Sequence, residues 1–248
     1  MPQVEFQPLS PKKEQLSKTD VQTSGTVTHR IAWTHCGSPF NAMNPEEKSI
    51  SFDVSSTWDS QPLDHRPVRI SIGREQNGTL PITITGPLFN SPPAPPEPKG
   101  NVPGLWDYEV AEIFFLGDFG KYLELEFGPH GHYLALLLNG QSNSIKQGMP
   151  LHYEAIKDNK SWTGRVQLPV SYLPPNVSKI NAYAIHGEDP NRVYEALYPV
   201  PMNAHEGPNF HRLQYFRNVD LRPLLTSCNT ELSEVWEDAM KTPSGACT

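Results

Sequence analysis

The chain has 248 residues, with 20 Lys or Arg against 27 Asp or Glu and a formal net charge of −7. That balance favours solubility and disfavours a phosphate backbone as partner, so nucleic acid is not an expected ligand. With 37% hydrophobic residues, 26 prolines and 17 glycines, the composition argues for one large all-β domain rich in turns, against long helices and against disorder throughout.

Residues 1–25 are polar and mixed, and read as an arm ahead of a single domain over 26–248. Their first twenty, MPQVEFQPLSPKKEQLSKTD, lack the apolar stretch of a secretory leader. No apolar run approaches the roughly 18 residues of a membrane helix, so no membrane partner is expected. Cys36, Cys228 and Cys247 have neither paired nor metal-binding spacing. Three reduced thiols fit a cytoplasmic or nuclear protein.

In chain order, an edge strand is expected near Val27–Trp33 and a weakly alternating one from Ile50 to Val54. After the turn-rich SSTWDSQPLDHRP, Val68, Ile70 and Ile72 alternate with polar residues, as do Ile82 and Ile84. Asn77-Gly78 between them predicts a hairpin. The stretch FNSPPAPPEPKGNVPG, residues 89–104, has five prolines between Pro92 and Pro98 and predicts a long loop of partly polyproline character. Long ordered loops are often functional, which makes this one a candidate rim for a ligand site.

The densest region runs from Tyr108 to Leu138. YEVAEIFFL, KYLELEF and HYLALLL, joined by GDFG and GPHG, predict a three-stranded antiparallel meander. The outer two are apolar on both faces. In KYLELEF, Leu123, Leu125 and Phe127 share one face and Tyr122, Glu124 and Glu126 the other, the period of a half-buried strand. Further strands are expected at Trp162–Leu168, in INAYAIHG from Ile180, in VYEALYP from Val193 and, weakly, in FHRLQYF from Phe210. In ELSEVWEDAMK, Leu232, Val235, Trp236 and Met240 recur at near-helical spacing and predict a short terminal helix. The pattern as a whole fits a single β-sandwich with antiparallel sheets.

Three blocks, WDYEVAEIFF, GKYLELEFGPHG and SWTGRVQLPVSYL, resemble those of the family-nine carbohydrate-binding modules. Trp106, Glu109, Glu112, Tyr122, Glu124, Pro129, Gly131, Trp162 and Pro169 carry the resemblance. The chain as a whole is similar to an uncharacterised family of intracellular animal proteins with such a domain. The resemblance implies a sandwich fold. It also implies sugar binding between aromatic side chains, and structural calcium in several members. The first acidic position, aspartate in the modules, is Glu109 here, and the sugar-clamping aromatic pair has no residue-by-residue match.

Glu109 and Glu112 differ by three, so on a strand they face opposite sides and form no acid/base pair. A buried carboxyl needs a partner, and Glu112 is expected to accept backbone N–H groups from a loop. Glu124 and Glu126, about 6–7 Å apart on one face, fit solvated carboxylates better than glycoside chemistry. His130 and His132 would need further ligands for zinc, and spacing does not choose among His152, His186, His205 and His211. Calcium takes oxygen ligands, which Asp107, Asp118 and Glu112 would supply with loop carbonyls. On balance no metal or other cofactor is expected.

Trp162 and Trp236 read as core. Trp58, in a polar turn, and Trp106, after the proline-rich loop, have less reason to be buried. Sugars stack on such rings, while Arg69, Arg165 and Arg192 offer donors in fork geometry. Neither a nucleophile elbow, nor H-E-x-x-H, nor a phosphate-binding loop occurs. The expectation is a non-catalytic carbohydrate-binding-like domain taking a sugar or another polyhydroxylated molecule through Trp58, Arg69, Trp106, Glu112 and Arg192. The alternatives are a hydrolase using Glu112 or Glu124 with a histidine, and an interaction scaffold built on the loop at 91–98. The sequence sets no oligomeric state.

Overall fold

The computed structural model describes residues 49–241. The polar arm, the strand near Val27–Trp33, Cys36 and Cys247 fall outside the described residues. The strands are β1 (Ile50–Val54), β2 (Ser56–Thr57), β3 (Val68–Ile72), β4 (Thr79–Pro87), β5 (Gly100–Asn101), β6 (Val110–Leu116) and β7 (Lys121–Phe127). They continue with β8 (His132–Asn139), β9 (Ser144–Gln147), β10 (His152–Lys157), β11 (Ser161–Pro169), β12 (Lys179–His186), β13 (Val193–Ala196) and β14 (Arg217–Asn218). The helix α1 (Glu234–Lys241) follows.

Two sheets result. The smaller runs β1-β3-β4-β11-β10, and the larger β2-β13-β12-β6-β7-β8-β5, with β14 beside β12 and β9 beside β8. Pairing is antiparallel except where β5 lies parallel to β8. Asn77 and Gly78 both adopt positive φ, 50° and 76°, in a two-residue turn between Gln76 and Thr79, at the tip of the connection from β3 to β4. That conformation suits the right-handed twist of a hairpin and is tolerated best by Asn and Gly. The turn pairs Gln76 with Thr79, and a one-residue offset between there and β3 sets Ile72 opposite Ile82 and Ile70 opposite Ile84.

The main core lies between the sheets. Ile70, Ile72, Ile82, Ile84, Val166 and Leu168 meet Ile113, Phe115, Leu123, Leu125, Ala135 and Leu137. Period-two alternation puts all of these on inward faces. Trp162 belongs to this core, as expected. A second apolar layer covers the outer face of the larger sheet. There Phe114, Tyr122, Leu134, Leu136, Leu138, Tyr183 and Ile185 are shielded by Val102, Leu105 and Phe216 from the connecting loops.

The second layer corrects the reading of KYLELEF. Every residue of β7 is buried, Glu124 and Glu126 included, because the strand lies between two strands that are apolar on both faces. FHRLQYF also departs from expectation. It forms a single 3-10 turn at Leu213–Tyr215 rather than a strand, and spans the outer face instead of extending the sheet.

The terminal helix is shorter than the quoted stretch. Trp236 and Ala239 face the core, Leu232 and Val235 are half-buried, and Met240 is exposed. Trp236 is fully buried and its indole N–H donates to the Tyr172 carbonyl at 3.0 Å. Trp236→Ala removes a large core side chain and strands that carbonyl. We expect it to lower stability by about 3–5 kcal/mol, read as a shift of the urea unfolding midpoint.

Candidate functional site

On the outer face of the larger sheet the covering loops do not close completely. They leave a cavity of about 510 Å³ lined by Trp106, Glu112, Glu124, Arg192, Tyr194 and His211, among others. Its floor is built by strand register. Glu112 on β6 is the cross-strand partner of Glu126 on β7, and Phe114 is the partner of Glu124. The even-numbered side chains of both strands therefore share one face, and three carboxyls cluster on it. Ile185 from β12 and Tyr194 from β13 continue that face on one flank, Leu136 and Leu138 from β8 on the other.

The rim comes from two loops. A turn at Leu105–Asp107 presents Trp106, 44% exposed and so available to a ligand. Arg192 braces this turn by donating to the Trp106 carbonyl, to the Asp107 carbonyl at 3.0 Å and to the Gly187 carbonyl at 3.3 Å. The segment from Pro208 to His211 forms the opposite rim. His211 Nδ1 is hydrogen-bonded to the Tyr122 hydroxyl at 2.8 Å, and that hydroxyl also accepts the Ser142 N–H. Burial lowers the affinity of His211 for a proton and favours its neutral form.

Burial shapes the carboxyls too. Desolvation drives Glu112 well above the usual carboxylate range, Glu124 reinforces the effect, and the Arg192 charge opposes it. Glu126 is raised in the same way, by burial first and then by Glu112, Glu124 and Asp107. For Glu124 burial pushes the value up to about 8. Among the described residues, Glu124 Oε2 and both Glu126 oxygens have no hydrogen-bond partner. A protonated carboxyl is a donor as well as an acceptor, so these oxygens are open to a ligand group of either kind. Burial and mutual proximity thus shift all three acids toward the neutral form, which relieves the packing of three like charges in an apolar site.

The residues singled out in the sequence separate into three places. Trp106, Glu112 and Arg192 meet in the cavity. Trp58 is half-buried and lines a neighbouring crevice of about 10 Å³ with Tyr198 and Tyr215; the two sites share only Asn209 and Phe210. Arg69 lies on the smaller sheet, bonded to both Asp53 oxygens at 2.7 and 2.8 Å in a separate depression with Trp162 and Thr85. It does not share the cavity with Trp106. The loop tether expected of Glu112 belongs to Glu109, which accepts the N–H groups of Phe89 and Asn90 at 3.1 and 2.6 Å.

Asp107 and Asp118, offered for calcium, precede and follow β6 and lie at its opposite ends; Asp118 is bonded to Asn176. Next to His130 is Lys157 Nζ at 2.6 Å, a cation where a second metal ligand would be needed. Among the described residues the group suited to a metal is His65, His186 and Glu195, on the other face of β12 and β13. Tyr194 was not singled out in the sequence, His211 was named only among the histidines offered for zinc, and Glu124 only in the hydrolase alternative. The signal for Glu124 was present in its neighbours: a strand flanked by two doubly apolar strands has no solvated face.

Fold and site define a two-sheet β-sandwich with an acid-floored pocket on the outside of its larger sheet. Comparison with known sequences then places the chain: it belongs to the UPF0462 family typified by C4orf33. It is 43% identical to the UPF0462 protein C4orf33 homolog of Danio rerio, over 77% of this chain and all of that protein. The Mus musculus homolog is 44% identical over 75% of this chain and 96% of its own length, and the Homo sapiens protein 43% over 76% and 93%. No protein-family model matches the chain. Among solved structures, a candidate carbohydrate-binding protein from Bacteroides uniformis aligns with a TM-score of 0.49 and 15% identity, over 69% of this chain and 84% of that one.

The raised proton affinity of the floor couples to folding. Between the unfolded value of 4.5 and the folded value of about 8, the folded protein holds the Glu124 proton and the unfolded chain does not. Unfolding then releases a proton, and stability falls as pH rises through that window. We expect the melting temperature to drop between pH 5 and pH 9, and Glu124→Gln to flatten that drop, in thermal scans across the range.

Proposed function

We propose that the protein binds a small polyhydroxylated molecule, a sugar in the first instance, in the cavity beneath Trp106, without carrying out chemistry on it. The observation that carries this reading is an exposed indole lining one cavity with two buried carboxyls, Glu112 and Glu124, that burial shifts toward the neutral form. A sugar ring has apolar C–H faces and a periphery of hydroxyls. Trp106 and Tyr194 suit the faces. A neutral carboxyl pairs an O–H donor with a C=O acceptor, which matches a hydroxyl that both donates and accepts. Small-ligand sites generally combine apolar walls with a few placed polar groups in this way. Arg192 holds the Trp106 turn in position rather than serving as an independent clamp.

A hydrolase is the second reading, favoured by the meeting of Glu112, Glu124 and His211 in one cavity. The geometry supports it less. His211 Nδ1 lies 3.9 Å from Glu124 Oε2, beyond hydrogen-bond reach, and is already engaged by Tyr122. Burial shifts both acids toward the neutral form, which disfavours the ionised partner that retaining and inverting mechanisms each need. Docking through the proline-rich loop has the least support. Among the described residues the large exposed apolar side chains are Trp106, Phe119, Ile156, Met202 and Met240, and none lies at 91–98.

A glycan array followed by calorimetric titration tests the proposal. We expect at least one sugar to bind, Trp106→Ala to weaken it by about 1 kcal/mol or more, several-fold to tenfold, and Arg69→Ala to leave it unchanged. Absence of binding by every sugar at millimolar concentration overturns the reading. Turnover of a chromogenic glycoside that Glu124→Gln abolishes would establish the second reading instead.

A further inference from the structure

We infer that His65, His186 and Glu195 form a binding site for one divalent transition-metal ion, with zinc the fitting choice. It is separate from the pocket. On β12 and β13, Ile185 and Tyr194 line the cavity, while His186 and Glu195 occupy the alternate positions and face the other way. Ala184 is the cross-strand partner of Glu195 and Val193 that of His186, so the two ligands are diagonal neighbours on one face. Thr57 of β2 pairs with Glu195, and the loop that follows β2 brings His65 back over the same spot.

Both imidazole Nε2 atoms converge on a single carboxylate oxygen. His65 Nε2 lies 3.2 Å and His186 Nε2 2.9 Å from Glu195 Oε1, and the three donor atoms all fall within 4.8 Å of one another. Ligands bound at 2.0–2.1 Å in a tetrahedral zinc site are about 3.3 Å apart, so the two His–Glu separations are close to those of ligands already gathered around an ion.

The hydrogen inventory points the same way. His65 Nδ1 is 3.0 Å from the Arg66 carbonyl, which can only accept, so the ring proton sits on Nδ1. With its Nδ1 engaged by a carbonyl, His65 aims Nε2 at a carboxylate oxygen, the arrangement of two ligands that face one ion. Glu195 is fully buried, and among the described residues its Oε2 has no hydrogen-bond partner. A buried carboxylate of this kind calls for a charge partner. An Nδ1–H held by a carbonyl is also the outer contact that metal-binding histidines commonly make.

The surroundings fix the rings. Phe89 stacks flat on His186, with centroids 3.6 Å apart and planes 2° apart, and meets His65 edge-on at 4.9 Å. Phe89 is itself held by Glu109, which accepts its backbone N–H. The carboxyl matching the first acidic position of the modules thus anchors the shelf behind the histidines. The His65 side chain is 17% exposed, which leaves room for water as a fourth ligand.

The test uses the full chain, stripped with chelator and titrated with Zn²⁺ alone or Co²⁺ alone. We expect one equivalent of Zn²⁺ to bind at this site and raise the melting temperature, and Co²⁺ to give the strong visible bands of a four-coordinate ion. His65→Ala, a change in a partly exposed loop, should abolish that equivalent and its thermal shift. Glu109→Gln should weaken it about tenfold by loosening Phe89. If neither metal binds, or if binding and spectrum survive His65→Ala unchanged, the proposal fails.

Discussion

The structure depends on burying both faces of β6, β7 and β8. All of β6 and β7, and all but the last residue of β8, are withdrawn from water. One face is satisfied in the usual way, by a second sheet. The other cannot be, because its middle strand carries Tyr122, Glu124 and Glu126, and no flat apolar layer would accept those groups at tolerable cost. Loops cover it instead. They seal the aliphatic parts with Val102, Leu105 and Phe216 and leave the carboxyls at or beside an opening. The pocket is where the need to cover the sheet conflicts with the need to keep acids near water.

That conflict also sets the chemistry of the floor. Ionised carboxylates in register on β6 and β7 would repel one another in a medium that screens poorly. Keeping their protons removes the repulsion and turns acceptors into donors. A group that both gives and takes hydrogen bonds recognises hydroxyls better than it recognises cations, and the proposal of a polyol ligand rests on that preference. Glu109, one residue before β6, stands in contrast. It faces the opposite way and is met by backbone N–H groups of the 89–90 loop. Burial still raises its proton affinity, but those bonds pull against the rise.

Much of this was legible in the residues. The Asn77-Gly78 hairpin, the meander, the strand at Trp162 and the anchoring role of Trp236 all follow from local periodicity and turn chemistry. The division of labour between Glu109 and Glu112 was half legible: opposite faces follow from a spacing of three, but not which side would meet a loop. Glu124 and Glu126 were misread because alternation within one strand was judged without its neighbours. Arg69 and Trp106 could not be separated either, since only the strand order shows that Arg69 on β3 belongs to the smaller sheet while the Trp106 turn lies against the larger. The histidine pair was the least legible. His65 and His186 are far apart in the chain, and their convergence depends on β2 pairing with β13.

The strand pair β12–β13 assigns its side chains by odd and even position. Tyr194 and Ile185 look outward while Glu195 and His186 look inward, with one peptide unit between the two roles. Insertion or loss of a single residue within Val193–Ala196 would exchange them, sending a tyrosine into the sandwich and a carboxylate to the pocket wall. This short stretch can therefore drift in composition far more freely than in length, and gaps in related chains should fall on either side of it.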